Sequence, residues 1–158
     1  MAEPPLDEAR QTTEGTTAVS QTLAIIKPDA VLGGRAGKIL AHLEEAGFTV
    51  RALSMTRLDS RSAGEFYRVH RERPFYGSLV EFMTSGPVVP MVLEAPDAVR
   101  ALREVIGATD PTEAAAGTVR RLYAETKERN AIHASDSDEN AAREIAFFFS
   151  HADLAASR

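Results

Sequence analysis

The brevity of its apolar runs is the feature that most limits how this chain can fold. The longest candidates cover residues 22–26, 88–93 and 145–149. None approaches the roughly 18 residues that a membrane span needs. Runs of this length are core strands or the buried faces of helices. Residues 22–26 read as a strand ended by Lys27-Pro28-Asp29, because Pro28 has no N–H for a ladder. Residues 36–46 read as a helix, with Ile39, Leu40 and Leu43 on one face and Gly47 as C-cap. Residues 48–58 alternate as a second strand, with a slip between Ala52 and Leu53. A helix over 60–70 starts with Ser60 as N-cap, and a short one covers 75–84.

The third strand spans 88–93, and Pro90 within it predicts an edge strand or a bulge. A helix over 96–106 follows, then a loop over 107–117 without apolar periodicity. A loop of that length in a compact domain serves function or an interface. A short helix over 118–126, a short strand over 131–133 and a helix over 138–150 complete the pattern, with only a short tail beyond. This succession predicts an α+β fold with an antiparallel sheet covered on one face. Residues 1–21, with Pro4-Pro5 and sparse hydrophobes, read as a disordered leader. They lack the basic and apolar regions of a secretory signal. Residues 22–158 then form one domain.

Charge and composition narrow the function. Eighteen basic against 23 acidic side chains leave a net charge of −5, which disfavours a general nucleic-acid or anionic-membrane surface. An anionic ligand would need a local cluster of cations. The chain has no cysteine, which excludes disulfides, thiolate metal sites and a cysteine nucleophile. It fits a reducing compartment, and we expect a cytoplasmic protein.

The most informative stretch is Asn130-Ala-Ile-His133-Ala-Ser-Asp-Ser-Asp-Glu139. A histidine ends a short strand just before a helix whose free N–H groups favour anions. Asp136 or Ser135 would cap that helix, with Glu139 completing a box. A surface or capping histidine is the plainer reading. A metal reading through His133, Asp136, Asp138 and Glu139 fits no EF-hand, because the sixth-position glycine is missing. Lys27, Arg103 and Arg120 are candidate phosphate cations if the fold gathers them. Gly37-Lys38 is no P-loop, since Leu32 and Ile39 stand where Gly and Ser or Thr are needed. Tyr67, His70 and Arg73-Pro74-Phe75-Tyr76 place aromatic faces beside a stiffened turn, suited to a base or to core packing.

Ile25-Ile-Lys27-Pro-Asp29, Arg73-Pro-Phe75, Ser85-Gly-Pro-Val-Val89, Gly117-Thr-Val-Arg120 and Asn130-Ala-Ile-His133-Ala-Ser-Asp-Ser137 occur in one order. With these motifs the chain, from Thr22 to about Leu154, resembles the nucleoside diphosphate kinases. The resemblance implies a ferredoxin-like βαββαβ antiparallel sheet with additional helices. It implies transfer of the γ-phosphoryl of a nucleoside triphosphate such as ATP to nucleoside diphosphates, by a ping-pong route through phospho-His133. By position, Glu144 holds the other ring nitrogen, Tyr67 lies beside the imidazole and Ser135 supports the motif. Lys27 and Asn130 correspond to ribose contacts, Phe75 to the base-stacking residue, and His70, Arg103, Thr109 and Arg120 to phosphate binders. Mg²⁺ is the implied cofactor, held mainly by nucleotide phosphates rather than by a protein metal site. A homo-oligomer is implied, a hexamer favoured over a tetramer, with the 107–117 loop as its usual contact. No membrane and no specific nucleic-acid partner are expected. Three positions depart from the pattern: Ala134 for a usual glycine, Lys127 for an apolar residue, and Arg121-Leu122 for a small residue and Asp. They motivate an alternative, a weakly active or inactive relative serving as a nucleotide-binding or protein-interaction module, with the Ala134 methyl crowding the imidazole.

Overall fold

The computed structural model describes residues 18–156. The expected leader, up to residue 17, lies outside the described residues. Residues Val19 to Gln21, assigned to that leader, instead open the first strand, β1 (Val19–Ile26). Three more strands follow, β2 (Thr49–Leu53), β3 (Val89–Pro96) and β4 (Ile132–Ala134). They form one sheet in the order β2-β3-β1-β4, antiparallel at every junction. The helices are α1 (Pro28–Leu32), α2 (Ala36–Glu45), α3 (Ser60–Phe66), α4 (Tyr76–Met83), α5 (Ala98–Ile106), α6 (Val119–Tyr123), α7 (Asp138–Phe148) and α8 (His151–Ala156). A 3₁₀ turn over Arg68–His70 extends α3. The βαββαβ succession with this strand order is the ferredoxin-like arrangement.

The sheet is covered on both faces, not on one as the pattern suggested. Ala24 and Ile26 of β1 and Met91 and Leu93 of β3 pack with Ile39 and Leu43 of α2 and Leu102 and Ile106 of α5. Leu23, Ile25 and Val92 point the other way, against Phe66 of α3, Met83 of α4 and Ile145 of α7. Successive strand residues face opposite sides. The uninterrupted run Leu23-Ala-Ile-Ile26 therefore needs apolar cover twice. The inserted α3–α4 pair and α7 supply the second layer. Burying a side chain such as Phe66, 1% exposed, contributes roughly 1.5–3 kcal/mol.

Several local expectations change in the fold. Pro90 sits in a central strand. Its carbonyl accepts from Ser54 N–H, so its missing donor faces β2, just past the last pair, Leu53 with Met91. The β1 ladder is therefore left intact. The slip in the second strand is a bulge between Val50 and Ala52. Pro28 ends β1 but also begins α1 at its first turn, where no N–H is required. Asp59, not Ser60, caps α3, by a reciprocal box with Ser62. Ser137, not Asp136 or Ser135, caps α7, accepting from Asn140 N–H. In place of a bare tail, α8 follows α7.

Candidate active site

Lys27 stands where β1 leaves the sheet, as the N-cap of α1. It is buried, and its Nζ donates to Asn130 Oδ1 at 2.8 Å. Burial lowers its pKa to about 8, aided by the Arg120 charge and opposed by Asp29 and Glu128. Asn130 is buried as well, and its amide donates to the carbonyls of Lys127 (3.0 Å) and Thr109 (3.4 Å). These contacts fix which way the amide faces.

His133 lies on β4, whose alternation sends Ile132 and Ala134 into the α2–α5 layer. The imidazole points to the opposite face, where Phe66 and Tyr67 meet it edge-on at centroid distances of 5.3 and 5.8 Å. Its Nε2 is 2.6 Å from Glu144 Oε1. The same oxygen accepts from Ser135 Oγ at 2.9 Å, while Arg143 Nη2 lies 3.6 Å from Glu144 Oε2. A carboxylate accepts, so this network assigns the proton to Nε2 and leaves Nδ1 with its lone pair. Burial holds the imidazole pKa below its ordinary value; Glu144 opposes this, and the charges of Lys27 and Arg120 reinforce it. The ring is thus neutral near pH 7, the form in which it is a nucleophile. The buried Tyr67 phenol is pushed well above its usual range, first by desolvation and then by Glu144.

Two further groups extend from this centre. Tyr67 stacks on His70 at 6.4 Å, and His70 lies 5.5 Å from Phe75, so a line of rings runs outward to an exposed aromatic face. Arg120, on α6, is buried with Nη1 donating to Gly107 O (3.0 Å) and Nη2 to Ile132 O (2.8 Å). Burial, and then the charge of Arg103 on α5, lower its pKa to about 10. A cleft of about 1010 Å³ opens between α5, the 107–117 loop and the start of α7, with Arg103, Thr109, Arg120 and Ser137 in its wall. His133, Lys27, His70 and Phe75 lie outside that wall.

The residues singled out from sequence are therefore connected: Lys27 to Asn130, Asn130 to Thr109, His133 to Glu144 and Tyr67, Tyr67 to His70 and Phe75, and Arg120 to Arg103. Asp29, Arg121 and Arg143 were given no role by the sequence. Asp29 was visible in Lys27-Pro-Asp29, but its partner Ala131 is 102 residues away. Arg121 donates to the loop carbonyls of Pro111 (3.5 Å) and Thr112 (3.3 Å), so this departure from the pattern ties down the 107–117 loop. The expectation that Ala134 crowds the imidazole is not met. Its methyl packs in the core on the far face of the sheet, and its φ is not left-handed. Lys127 and Leu122 are exposed.

Chemically, a neutral imidazole with a free nitrogen stands beside cations whose charge is only partly solvated. That arrangement suits receipt of a phosphoryl group. Similarity to known proteins points the same way. A family model described as nucleoside diphosphate kinase matches residues 20–154. The nucleoside diphosphate kinase of Chlorobium chlorochromatii is 59% identical over 132 residues, covering 84% of this chain and 94% of that protein. That of Chlorobium luteolum is 58% identical over 131 residues, covering 83% and 94%. The solved Aquifex aeolicus enzyme superposes with a TM-score of 0.85 at 52% identity, covering 86% of this chain and 99% of the other. A halophilic nucleoside diphosphate kinase from Halobacterium salinarum, solved in complex with CDP, gives 0.82 at 40% identity, covering 86% and 91%. Motifs, fold and similarity agree, and the chain belongs to the nucleoside diphosphate kinase family.

Proposed function

We propose that this enzyme moves the γ-phosphoryl of ATP or another nucleoside triphosphate to nucleoside diphosphates in two half-reactions through Nδ1 of His133. In the first, the Nδ1 lone pair bonds to the γ-phosphorus as the bond to the β–γ bridging oxygen breaks. The diphosphate leaves with that electron pair. The proton on Nε2 stays hydrogen-bonded to Glu144, whose carboxylate offsets the positive charge gained by the ring. In the second, a terminal oxygen of an acceptor diphosphate takes the phosphoryl and the N–P bond breaks. The 2.6 Å contact between His133 Nε2 and Glu144 carries this reading, because it leaves the other nitrogen free.

Arg103, Arg120, His70 and Thr109 align and neutralise the phosphates. Lys27 and Asn130 hold the ribose hydroxyls, Phe75 stacks on the base, and Tyr67 packs against the imidazole. Ser135 keeps Glu144 in place. Stacking and ribose contacts read no base edge, so base selectivity is low. The diphosphate complex of the Halobacterium relative supports a ligand of this class. Mg²⁺ is expected to travel with the nucleotide and to neutralise its β- and γ-phosphates. It would be held mainly by the phosphate oxygens of the nucleotide and would supply charge neutralisation there. The working form is a homo-oligomer, a hexamer by preference, and the compartment is the cytoplasm. No described helix is long and apolar enough to cross a membrane.

The test is incubation with γ-labelled ATP, then with a nucleoside diphosphate. The expected result is an acid-labile phosphoprotein that passes its label on. His133→Ala removes both steps, a loss of at least about 10⁴-fold. Substantial transfer by that variant would refute the nucleophile.

A further inference from the structure

We propose that Asp29 is a positioning residue for nucleotide binding: its buried carboxylate holds Ala131 in a left-handed conformation and so turns Asn130 onto Lys27. The inference rests on the nucleotide-binding role given above to Lys27 and Asn130.

Ala131 has φ +74°, a region that side chains other than glycine's rarely occupy without a compensating contact. It is fully buried. Its N–H donates to Asp29 Oδ2 at 3.1 Å, and its carbonyl accepts from Lys27 N–H at 2.9 Å. The strained residue is thus pinned from both ends by the segment that carries Lys27. The corner it makes separates Asn130, whose side chain meets Lys27, from Ile132, which begins β4 and leads into His133. A more extended Ala131 would swing the Asn130 amide away from Lys27 Nζ.

The Asp29 side chain is itself well placed. It is 4% exposed overall, and its Oδ1 is buried without a hydrogen-bond partner among the described residues. Arg35 approaches Oδ2 to 4.0 Å, donates to the Asp29 carbonyl at 3.0 Å, and reaches Glu125 Oε1 at 3.4 Å. Glu125 in turn binds Arg129. The 124–131 segment is therefore tied at Ala131 to Asp29 of α1 and at Glu125 to Arg35, which precedes α2. A buried acid kept with a free lone pair is costly, and a purely packing role would be served better by an apolar residue. The bond it does make, from Ala131 N–H to Oδ2, is what an apolar residue could not supply at this corner.

The test uses the full chain with Asp29→Ala, Ala131→Gly and the pair combined, measuring ADP affinity by calorimetry together with KM and kcat. Thermal melts verify folding. Asp29→Ala is expected to raise the ADP dissociation constant and KM about tenfold, with much less effect on kcat. Glycine reaches φ +74° without strain. Adding Ala131→Gly should therefore return affinity to within about threefold of the parent. A folded Asp29→Ala protein with unchanged affinity, or a double variant as weak as the single, overturns the proposal. If Asp29→Ala does not fold, Asp29→Asn decides. Its amide oxygen still accepts from Ala131, so affinity near the parent's is expected, and a tenfold loss refutes the acceptor role. A parent protein that binds ADP but transfers no phosphoryl would defeat the catalytic reading, while the affinity comparison would still judge Asp29.

Discussion

Around the strand ends, Lys27, Arg120, Asn130, Ser135 and Glu144 are buried, and hydrogen bonds restrain each side chain. Around the loops, Phe75, Arg103 and Thr109 are exposed. The first region sits at the end of β1, on either side of β4, and on α6 and α7, against the packed layers. The second sits on a turn, the rim of a helix and a long loop. The difference separates two tasks. A group that must face a reacting phosphorus within a few tenths of an ångström, or hold the ribose at a fixed distance from it, needs fixed neighbours. A group that stacks on any base, or meets a flexible phosphate chain, needs exposure and tolerance.

The comparison breaks first at Glu144. Glu144→Ala should slow both half-reactions about a hundredfold with little change in KM, as measured by rapid quench of the phosphoprotein. Glu144→Gln sharpens the same point through pH. Glu144 raises the imidazole pKa. Removing its charge therefore lowers that pKa further, and the acid limb of the rate profile should move to lower pH. A shift to higher pH would mean that the ring is not held as described. On the exposed side, Phe75→Ala should weaken nucleotide binding about five- to fiftyfold, the effect falling mainly on KM, because one base-stacking face is lost. A kcat loss as large as that of Glu144→Ala would erase the division between the regions. The smallest effect is expected at Ala134→Gly. Its methyl lies on the far face, so turnover should stay within about twofold while stability falls by about 1 kcal/mol. A large gain in turnover would revive the idea of impaired chemistry.

Legibility from the sequence followed range. The strand runs, the α2 and α5 periodicities and the slip in β2 are patterns among near neighbours, and a period of 2 or 3.6 reports them. The caps were less legible, because Asp59 and Ser60, or Asp136 and Ser137, offer the same chemistry one residue apart. Which one caps depends on where the backbone turns. Pro90 read as an edge signal since its missing donor was visible, but the β2 side it faces was not.

The resemblance carried by the ordered motifs is what assigned roles to His133, Glu144, Lys27, Asn130 and the phosphate cations; residue chemistry by itself left His133 open as a surface or capping histidine. Only the tertiary structure decided that the sheet is covered twice, that Ala134 faces away from the imidazole, and that Asp29 bears on a strained Ala131. The physical reason is that sidedness is set by strand register, and a hydrogen bond closing 102 residues depends on where two distant corners pack.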